Sequence, residues 1–310
     1  FVGSHVGAVS LGPGSPLDDR RSDGTAGLDA KWIPGPDHAL DLTLNPDFSQ
    51  VESDVTRIAA NERFAIFYPE KRPFFLEGAE MFATSIPAVY TRTLTSPRWG
   101  TRATGKAGTL AYTALVGEDR GGGSVILPGP EFSSLAPQDF SSTFVVARVR
   151  RDLGRSFVSF LATDREIAGG GFNRVAGPDF QWRPDDENVL SGQILFSATR
   201  TPDRTDLEES WDGRSLSGAG ADFWWARSTR TFDVSAQTKI FGTGFRADCG
   251  FVPQVGFREG YAETGRTWYP AGLFSRARIF AMVNHLEDHD GALLRRLLAG
   301  GVQAHGRRNS

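Results

Sequence analysis

The sequence holds a single cysteine, Cys249, in 310 residues. One thiol excludes an internal disulfide framework and any cysteine-rich zinc site. The shortage fits the cytosol, and equally an envelope protein that does without disulfides. Long apolar runs are also missing, and none approaches the roughly 18 residues of a membrane-crossing helix. This excludes a helical membrane protein and leaves strand-built ones open. Lysine occurs only as Lys31, Lys71, Lys106 and Lys239, so the basic charge is nearly all arginine. With a formal net charge of −3, nothing favours nucleic acid as a partner. No secretory leader opens the chain at Phe1, which reads as a mature form or a fragment. The closing GGVQAHGRRNS carries no strand pattern and favours the fragment.

Glycine, proline and phenylalanine are plentiful, the signature of a turn-rich, aromatic-rich β protein. Residues 1–24 are rich in Gly, Ser and Asp and read as a linker or frayed end. From Thr25 an alternation of period two begins. Ala26, Leu28, Ala30 and Trp32 fall in one phase, and Asp29 and Lys31 in the other. Leu40, Leu42 and Leu44 alternate with Asp41 and Thr43 after the turn PGPDH. The pattern returns at Leu190–Thr199, where Leu195 breaks the polar phase, then at Gly218–Trp225 and Phe232–Ile240, with weaker cases at 143–151 and 156–165. These runs are about 9–11 residues long, the length a tilted membrane strand needs, against about 5–6 in ordinary sheets.

The links alternate as well. PGPDH, SPRWGTR, DLGR, RPDDEN and STR are short, while 45–87, 117–141, 166–171 and 201–214 are longer. The alternation holds if Phe172–Trp182 is a strand, although Gly177–Pro178 interrupts its pattern. Tight turns at one rim and long loops at the other describe an antiparallel up-and-down barrel. The expected fold is therefore all-β, an outer-membrane-type barrel, incomplete, spanning 25–285. An ordered insert sits at 45–87, and the tail at 286–310 is irregular. Asp29, Lys31, Asp41, Asp233, Gln237 and Lys239 are expected to face the lumen. A soluble β-sandwich or propeller would alternate too, because one face of each sheet meets a core.

Motifs for chemistry are scarce. His285 and His289 stand four apart, as two metal ligands on a helix would, but Leu286 occupies the place where a zinc protease has Glu. Ala292–Ala299 reads as a helix capped by Asp290 or as a strand. The Gly121–Gly123 run lacks the lysine of a phosphate loop, no Gly-x-Ser-x-Gly elbow occurs, and no histidine neighbours Cys249. No catalytic set, metal or cofactor is indicated. The densest polar cluster lies in the insert: Asn45, Asp47, Phe48, Glu52 and Asp54, then Glu70, Lys71, Arg72, Pro73, Phe74, Phe75 and Glu77. Asp47, Glu52 and Asp54 are oxygen donors of the kind a hard cation takes, without the EF-hand pattern. Charges this close to aromatics must pair if they leave water. The insert therefore reads as a salt-bridged plug or wall-packing element, with a ligand or catalytic site as the second reading.

The strings Leu44–Asp54 and Phe67–Gly78, with Val89–Arg92, Asn173–Phe180 and Phe245–Phe251, resemble an uncharacterised bacterial envelope family. In that family a periplasmic domain like carbohydrate-binding family nine precedes a predicted outer-membrane β-barrel. The likeness covers about 25–270, the barrel region only. It implies a place in the outer membrane of a Gram-negative bacterium, lipid as partner, and binding or passage of a solute, with saccharide the class suggested. The competing expectation is a soluble envelope carbohydrate-active hydrolase on a sandwich or propeller.

Overall fold

The computed structural model describes the backbone of residues 2–8, 18–46, 63–272 and 274–306, and side chains within these ranges from residue 26 onward. Strands β1 (Val2–Ala8) and β2 (Asp18–Thr25) pair as a separate hairpin. They occupy the segment the sequence suggested as linker. β3 (Leu28–Gly35) and β4 (His38–Leu44) follow, then the insert with one helical turn, α1 (Pro73–Leu76), and 3-10 turns at Ala79–Phe82 and Thr91–Thr93. β5 (Pro97–Ala107) and β6 (Leu110–Asp119) lead to a small hairpin, β7 (Ser124–Pro128) and β8 (Ser133–Pro137). The chain then runs through β9 (Ser142–Leu153), β10 (Ser156–Ile167), β11 (Phe172–Trp182), β12 (Asn188–Arg200) and β13 (Ser215–Ser228). β14 (Phe232–Phe241), β15 (Phe257–Trp268), β16 (Phe274–Asp288) and β17 (Leu293–Gly306) complete it.

Thirteen strands form one sheet in chain order, from β3 to β17, with β7–β8 set aside as their own hairpin. Every neighbouring pair is antiparallel. β3 and β17 are the two ends of the sheet, and no pairing joins them among the described residues. Turns are tight at one rim. Gly108, at φ 61, turns β5 into β6 in the left-handed region where a side chain is strained. The opposite rim carries the insert, β7–β8, and the loops 201–214 and 242–256.

Several boundaries differ from the sequence reading. SPRWGTR is not a turn but the first half of β5, so the insert runs on to Ser96. The 168–171 link sits on the long-loop rim but is itself short. The tail expected to be irregular carries the end of β16 and all of β17. From Leu293 onward ALLRRLLA is thereby a strand rather than a helix, because β16 offers it a pairing edge from Phe274 to Glu287, interrupted by two register shifts. β11 keeps its register past Gly177, where any Cβ would lie 1.9 Å from the Ile194 carbonyl oxygen. Only glycine fits there.

The two faces of the sheet invert the arrangement of a soluble sheet. One face is covered by the insert and by 242–256, and it carries buried Asp41, Thr43, Arg102, Arg148, Arg165, Asn173, Asp179 and Gln193. Among the described residues nothing covers the other face, and it carries Val149, Val158, Phe160, Phe196, Ile240, Ile279 and Val302, all exposed. Leu195 and Phe196 are sequence neighbours, yet the first is 0% exposed and the second 61%. Leu195 breaks the polar phase because it belongs to an apolar patch, with Leu161 and Val175, against which Ile86, Ala88 and Phe245 pack.

Candidate functional site

The insert leaves β4 through Asn45, the one non-glycine residue with positive φ (46°) among those described. Its backbone N–H donates to the Arg98 carbonyl at 2.7 Å, its Nδ2 donates to Ala26 O, and its Oδ1 accepts from Arg120. Asn45 is a corner brace. Asp47, Phe48, Glu52 and Asp54 lie outside the described residues. From residue 63 the insert is organised around Arg72, whose guanidinium grips Glu70 through Nε at 2.9 Å and Nη2 at 2.7 Å. Its remaining donors reach the Leu94 and Thr91 carbonyls, and its plane lies 4.3 Å from the Phe75 ring centre. The Glu70 carboxylate also accepts from the Lys71 and Arg72 backbone N–H groups and from the Thr91 hydroxyl. Pro73 starts α1, where its missing N–H costs nothing. α1 then stacks Phe74 edge-on against buried Phe75.

Arginines from the wall dock this insert. Arg102 bonds Asp41 at 3.0 Å and donates to the Phe74 carbonyl at 2.6 Å, with Glu77 at 3.6 Å. Lys31 joins the same node through Asp41 and Glu77. Arg148 pairs with Asp179, donates to Ser159, and reaches the Met81 and Ala83 carbonyls of the insert. Gln193 accepts from the Ile86 N–H at 2.7 Å. The 242–256 loop is fixed by the same means: Asn173 accepts from the Asp248 N–H, and Ser197 accepts from the Arg246 N–H. The insert and this loop bond each other through Tyr90 N to Cys249 O and Phe251 N to Pro87 O, both 2.7 Å.

Burial works against the Glu70 charge, but the hydrogen bonds and the charge of Arg72, with Thr91, outweigh it and hold the carboxyl at about 2. The lowered value stabilises the fold fully above the ordinary carboxylate range, near 4.5, and that stabilisation is lost as pH falls toward about 2. Glu70→Gln is expected to cost at most about 3 kcal/mol at neutral pH and nothing below about pH 2. Unfolding midpoints across pH test this; equal acid sensitivity in the variant would contradict it. Cys249 is buried, which pushes its thiol up to about 12.

Beyond the insert, the same face of β13–β17 stays half-open. Gln237 donates to Asp222 at 2.8 Å, Lys239 lies 3.9 Å from Glu259, and Arg278 bridges Asp233 and Glu263. Trp224 and Tyr261 stack with ring centres 6.3 Å apart. Asp29 shares the phase of Lys31 and is exposed. Of the six residues expected on the inner face, Lys31 and Asp41 thus meet the insert, and Asp233, Gln237 and Lys239 belong to this second stretch. The histidines part company: His285 sits on β16 beside Glu287, whereas His289 contacts the Phe241 carbonyl. Sequence reasoning missed Arg102, Arg148, Arg165 and Asp179. Their signal was a charge in the covered phase of a strand otherwise rich in apolar residues.

These features define the class: an all-β antiparallel up-and-down wall of the outer-membrane-barrel type, unclosed between β3 and β17 among the described residues, with an ordered insert on its polar face. The family described as a domain of unknown function (DUF5916) matches residues 15–102, which include both strings that open the insert. Among solved structures, the chain is similar to the crystal structure of Pseudomonas aeruginosa OccK8 (OprE). That likeness has a TM-score of 0.41 at 11% identity, covering 86% of this chain and 67% of that one. No curated protein matches.

Proposed function

We propose that the chain forms the wall and filling of an outer-membrane barrel in a Gram-negative envelope, and that it binds or passes a small solute. The observation that carries this reading is the inverted burial, with Phe196 bare and Arg148 covered. In water such a face would be an aggregation liability; against lipid it is the required surface. Strands β5–β6 and β9–β17 have 10 to 15 residues, enough to cross at a tilt. A sandwich hydrolase would need a second sheet stacked on the apolar face, and among the described residues the thirteen strands form one sheet with none stacked on that face.

The insert fills the side lined by β4–β12, so the solute path follows β13–β17. There the Trp224–Tyr261 pair offers a flat apolar surface between Asp222, Gln237 and Glu263. Aromatic faces beside hydrogen-bonding side chains suit a pyranose ring. Saccharide is the first class to try, in keeping with the carbohydrate-binding domain of the family this sequence resembles. The full gene product should fractionate with membranes, shift in mobility on heating in a gel, and admit saccharides in a liposome-swelling assay. Recovery as a detergent-free soluble particle would defeat the proposal.

A further inference from the structure

A cavity of about 110 Å³ opens at the long-loop rim, between the β7–β8 hairpin, the 201–214 loop and the 242–256 loop. That is several times the roughly 10–15 Å³ a single water needs. Its apolar wall includes Val125, Ile167, Leu216 and Trp211, the last 3% exposed and set edge-on to Phe140 at 5.6 Å. Three charged side chains line it, those of Arg214, Arg246 and Asp248. Arg246 donates through Nη1 to the Thr243 and Phe245 carbonyls, both at 2.8 Å. Among the described residues no acceptor meets its Nε or Nη2, and no carboxylate pairs with it. Asp248 uses its backbone N–H on Asn173 and its carbonyl on Arg165. Its carboxylate accepts no hydrogen bond from any described residue. By contrast, the cavity's other arginine, Arg214, is engaged by Asp212 at 2.9 Å.

We infer that this cavity binds a small zwitterion of the free α-amino acid class, its carboxylate on Arg246, its ammonium on Asp248, and its side chain on the Trp211 wall. A half-buried charged group with open hydrogen-bonding positions is costly, and here one of each sign, attracting each other but joined by no hydrogen bond among the described residues, borders the same apolar-walled space. A ligand with both charges answers both groups at once. Burial pushes the Arg246 guanidinium down, with Arg214 acting the same way against Asp248. Burial pushes the Asp248 carboxyl up, against Arg165 and Arg246. Each group is thus stabilised by an incoming opposite charge. The site goes beyond the solute path proposed above. It is built from rim loops and stands whether or not the wall conducts.

The test is calorimetric binding of leucine to the detergent-purified full chain, with N-acetyl-leucine and leucinamide as comparison ligands. Leucine is expected to bind, and each analogue lacking one charge to bind at least about tenfold more weakly, as loss of one charge-assisted bond implies. Arg246→Gln and Asp248→Asn should each weaken leucine, and Leu216→Trp, which fills the space without touching a charge, should abolish binding. The heat-shifted gel band reports which variants are folded. No leucine binding at millimolar concentration overturns the inference, as do analogues that match leucine or a folded Leu216→Trp protein that binds unchanged. The ligand series needs only the unmodified chain, so a variant that fails to fold leaves the test intact.

Discussion

Ile194→Arg is expected to leave the protein unable to assemble in a membrane. Ile194 lies at the middle of β12 on the bare face, in a row that runs Phe160, Pro178, Ile194, Ala221 and Ile240 across five strands. An arginine at the bilayer midplane of a barrel costs about 2–4 kcal/mol, falling to about 0–1 near the interfaces. Val234→Arg should therefore do less harm, because Val234 pairs with Arg227 close to the tight-turn rim. Gln237→Arg, on the half-open stretch of the covered face, should assemble normally. The readout is the heat-shifted band in the membrane fraction. If the bare face met water instead, all three changes would fall within about 0.5 kcal/mol of wild type, and equal assembly of Ile194→Arg and Gln237→Arg would end the lipid-facing reading.

That contrast depends on which covered residues carry the insert, and the sequence pattern alone does not separate them. Gln193 and Gln237 occupy the same phase of neighbouring patterns and look interchangeable. Gln193 is 1% exposed and holds the Ile86 N–H, so a larger cation there has no room. The alternating phases of β3, β4, β9, β10, β12, β13 and β14 were legible because one neighbour meets polar groups and the next does not. β6 was obscured because its covered side turns apolar under the insert at Leu115. β15 was obscured for the opposite reason, since Arg258, Gly260 and Thr264 give its bare side little hydrophobic character. The Glu70–Arg72 pairing was readable from density of charge beside aromatics. The docking arginines were not, because their partners are backbone carbonyls and residues tens of positions away.

Arg148→Ala should be the most damaging change on the covered face. It removes the ion pair to Asp179, two contacts to Ser159 Oγ, and both bonds to the insert, at 2.8 Å to Met81 O and 3.2 Å to Ala83 O. Asp179 would remain buried without a cation, and its Oδ2 already lacks a partner. Breaking a buried pair from one side costs about 3–5 kcal/mol, whereas Lys106→Ala, which loses only the exposed pair to Asp152, should cost less than about 1 kcal/mol. The double change Arg148→Met with Asp179→Leu separates two roles. It replaces both charges by apolar groups, so the unfolding midpoint should return toward wild type. The carbonyls of Met81 and Ala83 stay without their donor, so the insert should remain loosened, and solute entry in liposome swelling should exceed wild type. A double variant that is both as stable and as tight as the natural chain would show that Arg148 stabilises the wall alone and does not hold the insert.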